Sequence, residues 1–108
     1  MKEVFREHMT NDDSSYLQCL HFEKESYKEV LGYILLEKRQ GYEYSKDNYS
    51  YFMSEFREAN MKYNLTFQAL VAFYAPEYSG DDSYEVLFNF ETQEIIIYEK
   101  EGDNLNED

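Results

Sequence analysis

Two rhythms of apolar positions divide this chain: helical steps of three and four up to about residue 75, then alternation from residue 84. Between 11 and 40, Leu17, Leu20, Tyr27, Leu31, Ile34 and Leu35 fall on one helical stripe. Thr10-Asn11-Asp12-Asp13 fits a capping box, Asn11 to Ser14 offer further N-cap candidates, and the acids suit the positive end of the macrodipole. Lys38 and Arg39 occupy the last turn, where cations are favoured, and Gly41 is the expected residue just past the helix. Gly32 lies inside the helix, at a cost of up to ~1 kcal/mol relative to Ala. A close crossing with a second helix explains such a glycine; so does simple tolerance.

The pattern predicts a second helix over 45–75. Ser45 is a good N-cap and Asp47 follows in the first turn. Tyr49, Phe52, Phe56, Ala59, Tyr63, Phe67, Leu70 and Tyr74 then recur at helical spacing, and Pro76 stops the run. Leu65, Ala69, Val71, Ala72 and Phe73 widen the stripe, so the last turns are expected to be the most buried. Asn60 to Asn64 form a weak patch. A break there would give an order of elements similar in outline to a winged helix, with Thr66 to Tyr74, which carry no base, as the reading helix. Unbroken, the two segments form an antiparallel helical hairpin with a short loop around Gly41 to Tyr44.

From residue 84 the period is two. Tyr84, Val86, Phe88 and Phe90 alternate with Glu85, Leu87, Asn89 and Glu91; Glu91 to Glu94 read as the turn, and Ile95-Ile96-Ile97-Tyr98 as the return strand. A symmetric register puts Phe90 opposite Ile95 and Phe88 opposite Ile97 inside, with Leu87, Ile96 and Tyr98 outside. An isolated hairpin is marginal in water, so its inner face must dock on the helices. Its outer apolar residues call for cover from the N-terminal segment (Val4, Phe5, Met9), from a second copy pairing edge to edge, or from a partner. The expected fold is α+β: a long antiparallel helical hairpin (11–40 and 45–75) followed by a two-stranded β-hairpin (84–91 and 94–100). Residues 1–100 form one domain and 101–108 an acidic, frayed tail.

Composition adds three things. The chain is 43% apolar and 31% charged, a globular mixture. Twelve Tyr, eight Phe and no Trp suit half-buried positions and contact surfaces. The net charge of −13 is uneven: residues 76–108 hold eleven acids against one base, Lys100, while the rest is nearly neutral. The charged opening MKEVFREHMT does not resemble a signal peptide, no window approaches a membrane span, and Cys19 has no second cysteine to pair with. A reducing cytoplasm is the expected compartment.

The residue types for catalysis or metal binding do not assemble along the sequence. Cys19 and His21 stand two apart on one helix and cannot face each other, His8 is distant, and Cys19 reads as a small buried hydrophobe. Asp81-Asp82-Ser83 lacks the oxygen ladder and glycine of a calcium loop, and no phosphate-binding glycine motif occurs. No enzyme activity, metal or cofactor is expected. Scattered bases among many acids also disfavour direct nucleic-acid binding.

The acidic C-terminal third carries the functional expectation. Asp81, Asp82, Glu85, Glu91 and Glu94 crowd a short hairpin and its flanks, with Tyr78, Tyr84 and Tyr98 interleaved. Same-face residues on a strand repeat at about 6.8 Å, comparable to the spacing of phosphates along a strand. Such a hairpin can present a basic groove with something like a nucleic-acid backbone. The expected partner is therefore a basic protein surface, such as that of a nucleic-acid-binding protein. In composition the chain is similar in kind to phage-encoded inhibitors of restriction or CRISPR nucleases, which are short, acidic and cytoplasmic. A solvated acidic face that only confers solubility is the plainer reading. The alternative function is an adaptor or self-associating module, a homodimer included, that uses the hairpin edge and Leu87, Ile96 and Tyr98.

Overall fold

The computed structural model describes residues 1–39, 41 and 46–100. The elements are β1 (Lys2–His8), α1 (Asn11–Arg39), α2 (Lys46–Tyr74), a 3-10 turn (Pro76–Tyr78), β2 (Tyr84–Asn89) and β3 (Glu94–Glu99). Two long helices followed by an antiparallel hairpin make the expected α+β architecture. The chain forms two compact units: residues 1–16 with the chain from Phe67 onward, and residues 17–66.

The first unit is built on a sheet that the sequence only half announced. Its order is β1-β3-β2, all antiparallel, so the N-terminal segment joins as a third strand and does not lie across the hairpin. A bulge at Val4 shifts the β1 register between Glu3 and Phe5. The hairpin is shorter than expected, and its register is moved by two: Phe88 pairs with Ile95, Val86 with Ile97 and Leu87 with Ile96. Asn89 is the reason. Its side-chain oxygen accepts the N–H groups of Glu91 and Thr92, which ends β2 early. Gln93, at φ 59°, closes the turn, and Phe90 belongs to that turn and not to β2. A shift of two keeps the side chains within the strands on their expected faces.

The isoleucine run of the central strand β3 is buried, Ile96 included. Ile95, Ile96 and Ile97 are 0%, 2% and 0% exposed. Ile96 thus departs from the outward exposure expected of it; in register beside it lie Arg6 and Leu87, whose long side chains flank it on the outer face. On the inner face Phe67 of α2 meets Phe88 edge-on at 4.9 Å, and Tyr78 bridges Phe5 (5.6 Å) and Tyr84 (4.7 Å).

The start of α1 is capped from across this unit. Thr10 Oγ1 accepts the N–H of Asp13 at 3.1 Å, as a capping box requires. The return bond is relayed: the Tyr74 hydroxyl accepts the N–H of Thr10 (3.0 Å) and donates to Asp13 Oδ2 (2.5 Å). One phenol therefore ties the end of α2 to the start of α1.

α2 runs unbroken through Asn60 to Asn64, so the winged-helix outline does not arise. Its last turns are not buried all round. Val71 is buried, whereas Leu65 (60% exposed), Ala69, Ala72 and Phe73 (74% exposed) face outward. The inward stripe is Phe67, Leu70, Val71 and Tyr74; the other residues fall on the opposite side of a 3.6-residue helix.

In the second unit the two helices run antiparallel, with Tyr27 meeting Phe52 and His21 meeting Tyr63. Lys24 caps the Tyr63 ring at 4.1 Å. Leu17, Leu20, Leu31 and Ala59 are buried, while Leu35 is exposed, contrary to its place on the expected stripe. Cys19 is exposed too, since it lies between the stripe positions Leu17 and Leu20. Gly41 adopts φ 89° and its N–H bonds the Lys38 carbonyl, as a C-terminal glycine should. The Ser45 cap, most of the loop to Tyr44 and the 101–108 tail lie outside the described residues.

Candidate functional site

The sheet unit sorts the seven acidic and aromatic candidates into three places. The first is a cavity of about 390 Å³ beside β2, lined by Asp81, Asp82, Tyr84 and Val86 together with Phe67, Gln68, Val71, Tyr78, Ser79 and Gly80. Its rim is a tight loop. Gly80 has φ 76°, a conformation that favours glycine, and Asp81 Oδ1 accepts the Ser83 N–H at 2.8 Å. The Tyr84 N–H returns to the Asp81 carbonyl at 3.2 Å. This geometry brings two carboxylates and the edge-on Tyr78–Tyr84 pair to one opening. Its volume lies at the lower end of the range for small-ligand sites, which starts near ~300 Å³.

The second place is the outer face of the sheet. Tyr98 lies between Glu3 on β1 and Glu85 on β2, in register with both. Glu94 shares that face, but its charge is already engaged. Arg6 Nη1 donates to it at 2.9 Å, while the same guanidinium holds Glu3 at 2.8 Å, and His8 stands 3.8 Å away. A side-chain hydrogen bond from Thr92, reinforced by Arg6, holds the Glu94 carboxyl below its ordinary range. Arg6 does the same for Glu3, and the two carboxylates raise the guanidinium in return. The third place is the turn at the far end of the hairpin, where Glu91 stands exposed.

Sequence reasoning placed Asp81, Asp82, Tyr84, Glu85 and Tyr98 in one hairpin group; the fold gathers the first three at the cavity and pairs Glu85 with Tyr98 across the strands. It grouped Glu91 and Glu94 with them, although the fold sets Glu91 apart and compensates Glu94. It missed Gln68, which reaches the cavity from α2, and did not count Tyr78, which reaches it from the 3-10 turn, among the binding residues. It also missed Arg6. The signal for Arg6 was present in the balanced charges of Lys2, Glu3, Arg6 and Glu7, which suit an edge strand.

Among the described residues, no group of three or more His, Cys, Asp or Glu side chains converges to hold a metal ion, and no helix is long and apolar enough to cross a membrane. Compared with protein families, curated proteins and solved structures, the chain shows no significant match.

Proposed function

We propose that this chain is a non-enzymatic interaction protein that docks on a basic protein surface, with the cavity beside β2 receiving a lysine or arginine side chain of the partner. The observation that carries this reading is the shared opening of Asp81, Asp82, Tyr78 and Tyr84. Carboxylates pair with a guanidinium or ammonium head, and phenol rings accept its apolar stem and its charge. Glu85 and Glu99, both exposed, extend the negative surface along the hairpin and favour encounter with a positive partner. The sharpest form of the proposal is an inhibitor that occupies the nucleic-acid-binding surface of another protein.

The edge-binding adaptor reading changes in one respect. β1 covers one edge of β3 and β2 the other, so an added strand would pair with β1 or β2.

A pull-down from cell lysate at low and high salt tests the proposal, run with the wild-type chain and with an Asp81→Lys, Asp82→Lys variant. The expected result is capture of basic nucleic-acid-binding proteins at low salt, release at high salt, and loss of capture in the variant. Salt-insensitive capture, or capture untouched by the two reversals, contradicts it.

A further inference from the structure

Gly32 has no role that the chain itself explains. It lies within α1, where the positive-φ glycines are elsewhere, at Gly41 and Gly80, and a Cβ added to it meets nothing within 4 Å. Neither backbone conformation nor internal packing calls for a glycine there, yet it weakens the helix relative to Ala. On either side of it lie two shallow grooves of about 270 and 380 Å³. Both are lined by Gly32 and Leu36; one adds Glu29 and Tyr33, the other Leu35 and Arg39. Tyr33, Leu35 and Leu36 are 68%, 46% and 48% exposed.

These residues form a self-complementary set. In an antiparallel pairing of a helix with its own copy about a two-fold axis, residues equally far from the axis meet. With the axis level with Ile34, Gly32 meets Leu36 and Glu29 meets Arg39 across the seam, while Tyr33 flanks it against its own copy on one side and Leu35 against its own copy on the other. Large side chain faces small, apolar faces apolar, and acid faces base. Glu29, Gly32, Leu36 and Arg39 also follow the three-four-three spacing of a packing seam. Neither Glu29 nor Arg39 has an ion-pair partner among the described residues.

We infer that a second copy of this chain docks on α1, antiparallel, with Leu36 of each protomer seated over Gly32 of the other and Glu29 against Arg39. The glycine is the notch that lets the helices approach. Three turns of helix make a small interface, at or below the ~1,200 Å² low end for specific complexes, so association is reversible and concentration-dependent. This surface shares no residue with the cavity beside β2.

Sedimentation velocity of the full chain from low micromolar to millimolar concentration tests the inference. The wild type should pass from monomer to dimer. Gly32→Gln, which keeps a good helix former but fills the notch, should remain monomeric with undiminished helicity. Glu29→Arg and Arg39→Glu should each weaken self-association on the order of tenfold or more by opposing like charges. Mixed together, those two variants should associate with each other, because both pairs then become acid on base. A wild type that stays monomeric at millimolar concentration overturns the inference. So does a dimer indifferent to Gly32→Gln and to the charge reversals.

Discussion

The sheet unit and the helical unit spend the same kind of residue in opposite ways. In the sheet unit, three consecutive isoleucines of β3 are at most 2% exposed, and Met9, Val71, Ala75 and Phe88 are buried as well. In the helical unit, residues 17–66, Leu17, Leu20, Leu31 and Ala59 are buried while Phe22, Tyr33, Leu36, Tyr51 and Met61 are about half exposed or more. A central strand has a paired neighbour at each edge, whereas each helix of a two-helix hairpin has one neighbour and one buried stripe. The difference teaches where stability resides and where surface is left for others. The sheet unit buries its apolar strand; the helical unit carries apolar surface that its two helices leave exposed.

Core truncation should separate the two most sharply. Ile97→Ala removes a fully buried side chain and should cost about 2–5 kcal/mol in urea unfolding. Leu36→Ala, half exposed in the helical unit, should cost well under ~1 kcal/mol at concentrations where the chain is monomeric. Comparable losses at both positions would erase the distinction.

Tyr74→Phe comes next. It strips the relay between Thr10 and Asp13 while keeping the ring, and should destabilise by about 1–3 kcal/mol. Amide exchange should rise first at the start of α1 and not within residues 17–66. At Gly32 the sign reverses: Gly32→Ala should stabilise the monomer by up to about 1 kcal/mol, since the added methyl has open space and helix propensity improves.

Titration gives the smallest effects and probes one unit at each end of the pH scale. Glu3 and Glu94 hold their protons less readily in the folded chain, so the unfolded state binds more protons as the medium is acidified. Their contribution is complete above the ordinary carboxylate range and is lost as pH falls through the lowered folded values. Burial, with nearby Glu55 for Tyr27 and Glu25 for Tyr63, raises both phenols above their usual 10.0. That contribution is complete below the ordinary value and is lost as pH rises through the raised ones. Arg6→Gln should remove the acid-side sensitivity from Glu3, weaken that from Glu94, where Thr92 contributes most, and leave the alkaline limb alone. Thermal unfolding across pH, with and without the substitution, reads both limbs.

The helices were legible because a 3.6-residue stripe of Leu, Tyr and Phe is a strong local signal, and the hairpin because alternation at Tyr84, Val86 and Phe88 is another. β1 was not. Its Lys2 to His8 segment is an edge strand, balanced in charge and exposed along much of its length, and only pairing with β3 makes it a strand. The burial of Ile96 depends on that same pairing. The cavity was legible in its two acids and Tyr84, which are adjacent in sequence; Gln68 and Tyr78 join them only through tertiary folding. The exposure of Leu65 and Phe73 follows from the phase of one continuous helix, which a weak patch at Asn60 to Asn64 left open.

The most direct test of the central claim is amide chemical-shift mapping of the labelled chain titrated with an arginine-rich peptide. Saturable shifts centred on Ser79 to Tyr84, weakened by salt and removed by Asp81→Asn with Asp82→Asn, are the predicted result. Shifts spread evenly over acids of both units, Glu23, Glu37 and Glu55 included, and unchanged by those substitutions, would contradict it.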